Sequence, residues 1–158
     1  MKKSFLIFGA IGLVAIGMIL IGSRQGANME TVLTEAGTNM AMVYKSPTCG
    51  CCAIYVEYLD QLGFEVEVHE SEDMSPIKEK YGISSAQESC HTTVIGDYFI
   101  EGHVPMEAIE KLLTEQPDID GIGLPGMPSG TPGMPGAKMG TYEIYQLSDG
   151  EESVFLSL

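Results

Sequence analysis

The chain has 158 residues, 44% of them apolar, with 22 acidic side chains against eight basic ones and a formal charge of −14. That length holds one membrane segment and one domain of ordinary size, with enough apolar material for a packed core. Every acidic residue lies at Glu30 or beyond, where five basic residues remain; the resulting formal −17 excludes nucleic acid as a partner.

Met1-Lys2-Lys3-Ser4 leads into eighteen residues of low polarity, 5–22, which Ser23-Arg24 closes. Eighteen is at the lower edge of the roughly 17–25 residues that span a bilayer as a helix. The two lysines before the run favour a cytoplasmic N-terminus with the rest exported. Residues 1–24 are therefore expected to be an inner-membrane anchor, with the domain facing the periplasm or exterior. A cleaved signal peptide, leaving a soluble periplasmic domain, is the competing reading. The run exceeds the usual signal-peptide apolar core of about 7–15 residues, and no A-x-A site follows it.

Residues 25–39 are polar and mixed and read as a linker, with a short helix over 30–36. The domain is expected over 40–158. Ala41-Met42-Val43-Tyr44 is a short apolar run, hence a buried strand, which Ser46-Pro47-Thr48 ends. From Cys52 on, Ile54, Tyr55, Tyr58, Leu59 and Leu62 recur at helical spacing, and Gly63 supplies the stop. Residues 64–70 alternate apolar and polar, as a second strand does. Ser75 reads as an N-cap followed by Pro76 at the first position of a short helix. Two β-rich runs, 92–95 and 98–101, flank Gly96-Asp97 and predict a hairpin. Pro105 opens another helix, with Ile109, Leu112 and Leu113 on its buried side.

This order fits an α/β fold: a thioredoxin-like mixed sheet with helices on both faces, its first crossover parallel and right-handed and its hairpin antiparallel. In that arrangement the loop after the first strand meets the loop entering the third at one end of the sheet. Residues 121–136, which contain Gly-Met-Pro twice, read as extended and weakly structured. Residues 141–147 and 154–156 about Asp149-Gly150 predict a terminal hairpin.

Three of the four cysteines fall in Cys49-Gly50-Cys51-Cys52, between the first strand and its helix, and the topology brings Cys90 to them. A helix N-terminus stabilises thiolate. Two chemistries follow. As a dithiol, Cys49 attacks a disulfide and Cys52 resolves it. As ligands, soft thiolates select Cu(I), zinc or an iron–sulfur cluster. Cys51 favours metal, because a redox dithiol has no use for a third adjacent sulfur. Zinc sites draw on two separated ligand pairs, and the spacing fits neither common iron–sulfur run. Loops this short close too little chain for a structural disulfide framework.

His91 follows Cys90 directly and points elsewhere unless the loop is kinked; ligation and a hydrogen bond to sulfur are both open to it. Met127 and Met134 are thioethers on a flexible arm, suited to Cu(I) or to an apolar lid. His103, beside Pro105, is expected in a turn or capping role, and His69 on a solvated face.

The run from Val43 to Cys52, with Ser89-Cys90-His91-Thr92, Glu101-Gly102-His103-Val104-Pro105 and Gly126-Met127-Pro128, resembles the CopG-like family of exported bacterial copper-resistance proteins. The resemblance covers roughly residues 41–135. It implies a thioredoxin-like fold and copper held by Cys49, Cys51, Cys52 and Cys90, up to a multinuclear thiolate-bridged cluster, with a role in copper redox cycling. The function expected is Cu(I) binding outside the cytoplasm in copper homeostasis or resistance. Its partners are copper ions, other exported copper-handling proteins and, through the N-terminal helix, the membrane. The alternative is a membrane-tethered thiol–disulfide oxidoreductase.

Overall fold

Alternating burial gives the first strand its core-facing side. In β1 (Met40–Lys45), Ala41 and Val43 are fully buried on one face, as the two-residue period of a strand requires. The computed structural model describes residues 28–158, so the expected membrane segment lies outside the described residues. Among those residues no helix is long and apolar enough to cross a membrane.

The described chain is a mixed α/β fold of four helices and one seven-stranded sheet. β1 pairs in parallel with β2 (Glu65–Glu70) across helix α2 (Gly50–Gln61), the crossover expected from sequence. On its other side β1 runs antiparallel to β3 (His91–Ile95), with Lys45 opposite His91. The hairpin forms as predicted, pairing β3 with β4 (Tyr98–Glu101) in the register Thr92 to Glu101. Helix α3 (Ser75–Lys80) starts one residue earlier than read: Met74 is its N-cap, and the Asp73 carboxylate accepts from the Ser75 N–H at 3.0 Å. Helix α4 (Met106–Glu115) buries Ile109, Leu112 and Leu113 as expected.

The main core lies under α2, α4 and the first helix, α1 (Met29–Ala36), against Ile95, Ile100 and Ile122 of the sheet. Phe99, one residue from Ile100, faces the opposite way and packs with Tyr81, Ile83 and Leu147. Helix α1 falls in the segment read as linker, yet Val32 and Leu33 are buried against the core. Burial at about 1.5–3 kcal/mol per large aliphatic side chain makes it part of the packed unit.

Two features of the tail correct the sequence reading. Gly121–Gly123 is not weakly structured but a strand, β5, parallel to β4. A Cβ at Gly121 would sit 2.2 Å from the Phe99 carbonyl oxygen, so only glycine permits the pairing. The predicted terminal hairpin, β6 (Glu143–Ser148) and β7 (Glu151–Ser157), forms and extends the same sheet through β5.

Candidate metal centre

Pro47 and its neighbours turn the chain sharply after β1, with the Cys49 N–H donating to the Ser46 carbonyl at 3.2 Å. Cys49 then caps α2: its backbone is extended, and its sulfur accepts from the Cys52 N–H at 3.3 Å. This is the place that serine or aspartate usually takes, and the positive end of the helix favours a thiolate there. Cys49 and Cys52 are joined as a disulfide, while Cys51 and Cys90 are free thiols, each half-buried.

The β1–β3 register carries Cys90 to this turn. Cys51 Sγ lies 3.5 Å from Cys49 Sγ and 3.9 Å from Cys90 Sγ, and Cys52 Sγ lies 3.7 Å from the Cys90 carbonyl oxygen. All four sulfurs fall within 4.8 Å of one another. Two thiolates on one tetrahedral ion at a bond length of about 2.3 Å stand about 3.8 Å apart, so the observed spacings suit a shared metal. Burial, reinforced by Cys51, pushes the Cys90 thiol up to about 11. Its proton therefore stays until a metal displaces it.

The two histidines are the larger surprise. His91 is fully buried, and a bend at Cys90 turns the imidazole back, so that Nδ1 lies 3.7 Å from Cys90 Sγ. Tyr55 packs on its ring at 4.5 Å between centroids, and its Nε2 is buried with no hydrogen-bond partner. His103 sits in a turn as expected, between Gly102 and Val104, whose N–H donates to the Gly102 carbonyl at 2.9 Å, but its side chain is fully buried with Nε2 3.3 Å from Cys90 Sγ. Its Nδ1–H donates to the Pro132 carbonyl at 2.6 Å. A carbonyl only accepts, so the neutral ring presents the Nε2 lone pair to the sulfur. Burial holds both imidazoles below their usual pKa, His91 well below, with His103 and Lys78 adding to the effect on His91. The sequence did contain a signal for His103. A hairpin turning at Gly96-Asp97 sets Thr92 opposite Glu101, and continuing that register sets Cys90 opposite His103.

Below Cys90 lies an ion pair that sequence reading missed. Lys78 donates to Glu101 Oε1 and, at 2.9 Å, to Thr92 Oγ1; Thr92 donates to Glu101 Oε2 at 2.7 Å. Glu101 also accepts from the Ser89 N–H at 2.5 Å, which ties the residue before Cys90 to the sheet. Burial pushes the Glu101 carboxyl up, against the opposing pull of Lys78.

The Gly-Met-Pro arm reaches the site through its backbone. Gly133 has φ +81, and a Cβ there would stand 2.8 Å from the Cys51 carbonyl oxygen and 3.2 Å from His103 Nδ1. Met127 is exposed and Met134 half-buried on the same loop. His69 stacks on Tyr44 and pairs with Glu67 at 3.0 Å, outside either donor group.

Two solved structures, titled copper resistance protein copG in Form 1 and Form 2, each match with 38% identity and a TM-score of 0.70, over 77% of this chain and 98% of theirs. The chain belongs to the CopG family. A family model described as a protein of unknown function, DUF411, matches residues 87–134. Those residues contain Cys90, both site histidines and the Gly-Met-Pro arm, while the Cys49–Cys52 turn lies before them. No curated protein sequence matches the chain. Within this CopG-family chain, the cysteine cluster could hold a metal ion.

Proposed function

We propose that this chain takes Cu(I) as its cargo, through the thiolates of Cys49, Cys51, Cys52 and Cys90, in copper homeostasis or resistance outside the cytoplasm. The observation that carries the reading is the convergence of four sulfurs within 4.8 Å on a chain whose relatives are titled copper resistance proteins. Soft thiolates select Cu(I), and sulfurs this close bridge more than one ion. We read the unit from β1 to α4 as thioredoxin-like, with β5 to β7 added at its edge. Residues 1–24 anchor it, and other exported copper-handling proteins exchange copper with it. Met127 and Met134 supply soft donors on the arm beside the site, and His91 a nitrogen donor.

The Cys49–Cys52 disulfide favours a second reading, a membrane-tethered thiol–disulfide oxidoreductase. Cys51 separates the two. Cys51→Ser sharply lowers Cu(I) affinity and stoichiometry in a competition titration of the reduced chain, and it leaves the Cys49–Cys52 redox couple intact. Equal copper stoichiometry in mutant and wild type would sink the copper reading.

A further inference from the structure

We propose that Glu101 is a positioning residue for Cu(I) capture: through the Ser89 N–H it fixes the segment entering β3, and with it Cys90, before any metal arrives. The inference deepens the thiolate reading and rests on it, but it concerns a carboxylate outside the donor set.

Ser89 and Cys90 lie just beyond the ladder. The β1–β3 register starts at His91 and the β3–β4 register at Thr92, so neither strand pairing fixes the two residues before them. The Ser89 N–H donates instead to Glu101 Oε1 at 2.5 Å. Ser89 also packs against Gly102, where a Cβ would stand 2.7 Å from its Oγ. Glu101 is fully buried, and both its oxygens are held from other directions: Lys78 Nζ donates to Oε1, and the Thr92 hydroxyl to Oε2 at 2.7 Å. Its rotamer is set by α3 and β3, so the Ser89 N–H meets an acceptor that cannot swing away. Further back, the Glu152 carboxylate of β7 accepts from Ser84 Oγ and from Gln87 Nε2, each at 2.8 Å. The run from Ser84 to Ser89 is pinned at both ends, and Cys90 follows the second pin directly.

Stability alone does not call for a charged pair here. An apolar pair of similar volume is often as stable as a buried ion pair, or more so. Phe99, two residues before Glu101 and on the same face of the sheet, already packs there with Ile83 and Leu147. What an apolar pair cannot supply is an acceptor for Ser89. Binding geometry must be held to about 0.5 Å, and outer partners that orient ligands carry about ten- to a hundredfold in metal affinity. Cys49, Cys51 and Cys52 are oriented by their own helix start. Cys90 comes from another segment, with its sulfur 3.9 Å from Cys51 Sγ, and the Glu101 carboxylate sets its place.

The test separates the acceptor from the charge, in the full-length chain. Lys78→Met with Glu101→Leu removes both. Lys78→Met with Glu101→Gln removes the ion pair but keeps an amide oxygen for the Ser89 N–H. Each reduced protein is titrated with Cu(I) against a competing chelator, beside denaturant midpoints of the metal-free forms. The leucine variant is expected to bind Cu(I) at least about tenfold more weakly than wild type, and the glutamine variant to recover most of that loss. A role in stability alone predicts no such gap between two variants that are both folded. Wild-type affinity in the leucine variant, or a glutamine variant no tighter than the leucine one, overturns the proposal. A second measurement needs no variant, so it decides even where the leucine variant does not fold. In the metal-free wild type the Ser89 amide is expected to exchange its hydrogen as slowly as the amides of β3. Exchange at the rate of an open loop, in a chain that still binds Cu(I), overturns the positioning alone. A protected Ser89 amide in a wild-type chain that takes no Cu(I) overturns the copper reading, and this one with it.

Discussion

The two strands of chain that meet at the site are held by opposite means. The turn carrying Cys49, Cys51 and Cys52 is specified locally: a proline-containing bend, a helix start and a sulfur that caps its own helix within three residues. The Cys90 strand is specified from afar, by Glu101 on the neighbouring strand and Lys78 on α3, which grip Ser89 and Thr92. A local device survives changes elsewhere in the fold. A remote clamp fails with any member, because the rest is left buried and unsatisfied.

The largest effect expected follows from breaking the clamp. Glu101→Ala strands the Lys78 charge in the interior and should cost about 3–5 kcal/mol, read from the denaturant midpoint. Replacing Lys78 by Met and Glu101 by Leu together should recover most of the loss. Under oxidising conditions Glu101→Ala should still form the Cys49–Cys52 disulfide, since that turn does not depend on the clamp. Failure to close it would mean the two regions are not independent.

The Cys90 side should also be the pH-sensitive one. Both site histidines have folded-state pKa values below the unfolded value of about 6.5, so the unfolded chain binds protons that the fold refuses. Their contribution is complete above about pH 6.5 and is lost as the pH falls below it towards the folded values. The slope is about 1.4 kcal/mol per pH unit for each histidine. Glu101, whose carboxyl is pushed up, opposes the trend at lower pH. Denaturant midpoints at pH 7 and pH 5.5 should differ in the wild type and differ less in His103→Gln, where His91 alone still contributes; a flat wild-type profile would refute this.

The smallest effect sharpens the local side. In the reduced protein Cys49→Ser keeps an N-cap, whereas Cys49→Ala loses it. Alanine should therefore be about 1 kcal/mol less stable than serine at this position, while both lose the sulfur as a copper ligand. Equal midpoints would show that the cap contributes nothing.

Legibility followed the same division. The order of elements from β1 to α4 could be read because each carries its own signal: an apolar run in β1, alternation in β2, a Gly-Asp turn between β3 and β4, and helical spacing in α2 and α4. Strand β5 could not, because its two glycines carry no strand preference, and the close approach of Gly121 to Phe99 shows only in the folded chain. The cysteine convergence was legible from topology. His103 was legible as well, through the hairpin register, but its neighbour Pro105 suggested a turn instead. Lys78 and Glu101 were hidden for a different reason. Charged residues read as solvent-facing by default, and nothing local to either announces a partner 23 residues away.

Helix α1 has a consequence for where copper is exchanged. Its N-cap is Asn28, and the helix is fixed to the core by Val32 and Leu33. With residues 5–22 held in the bilayer, as proposed, five residues, 23–27, form the entire leash. Fully extended at about 3.3–3.6 Å each, they reach less than about 20 Å. On that proposal the domain would stay close to the membrane surface, and a carrier would have to meet it there.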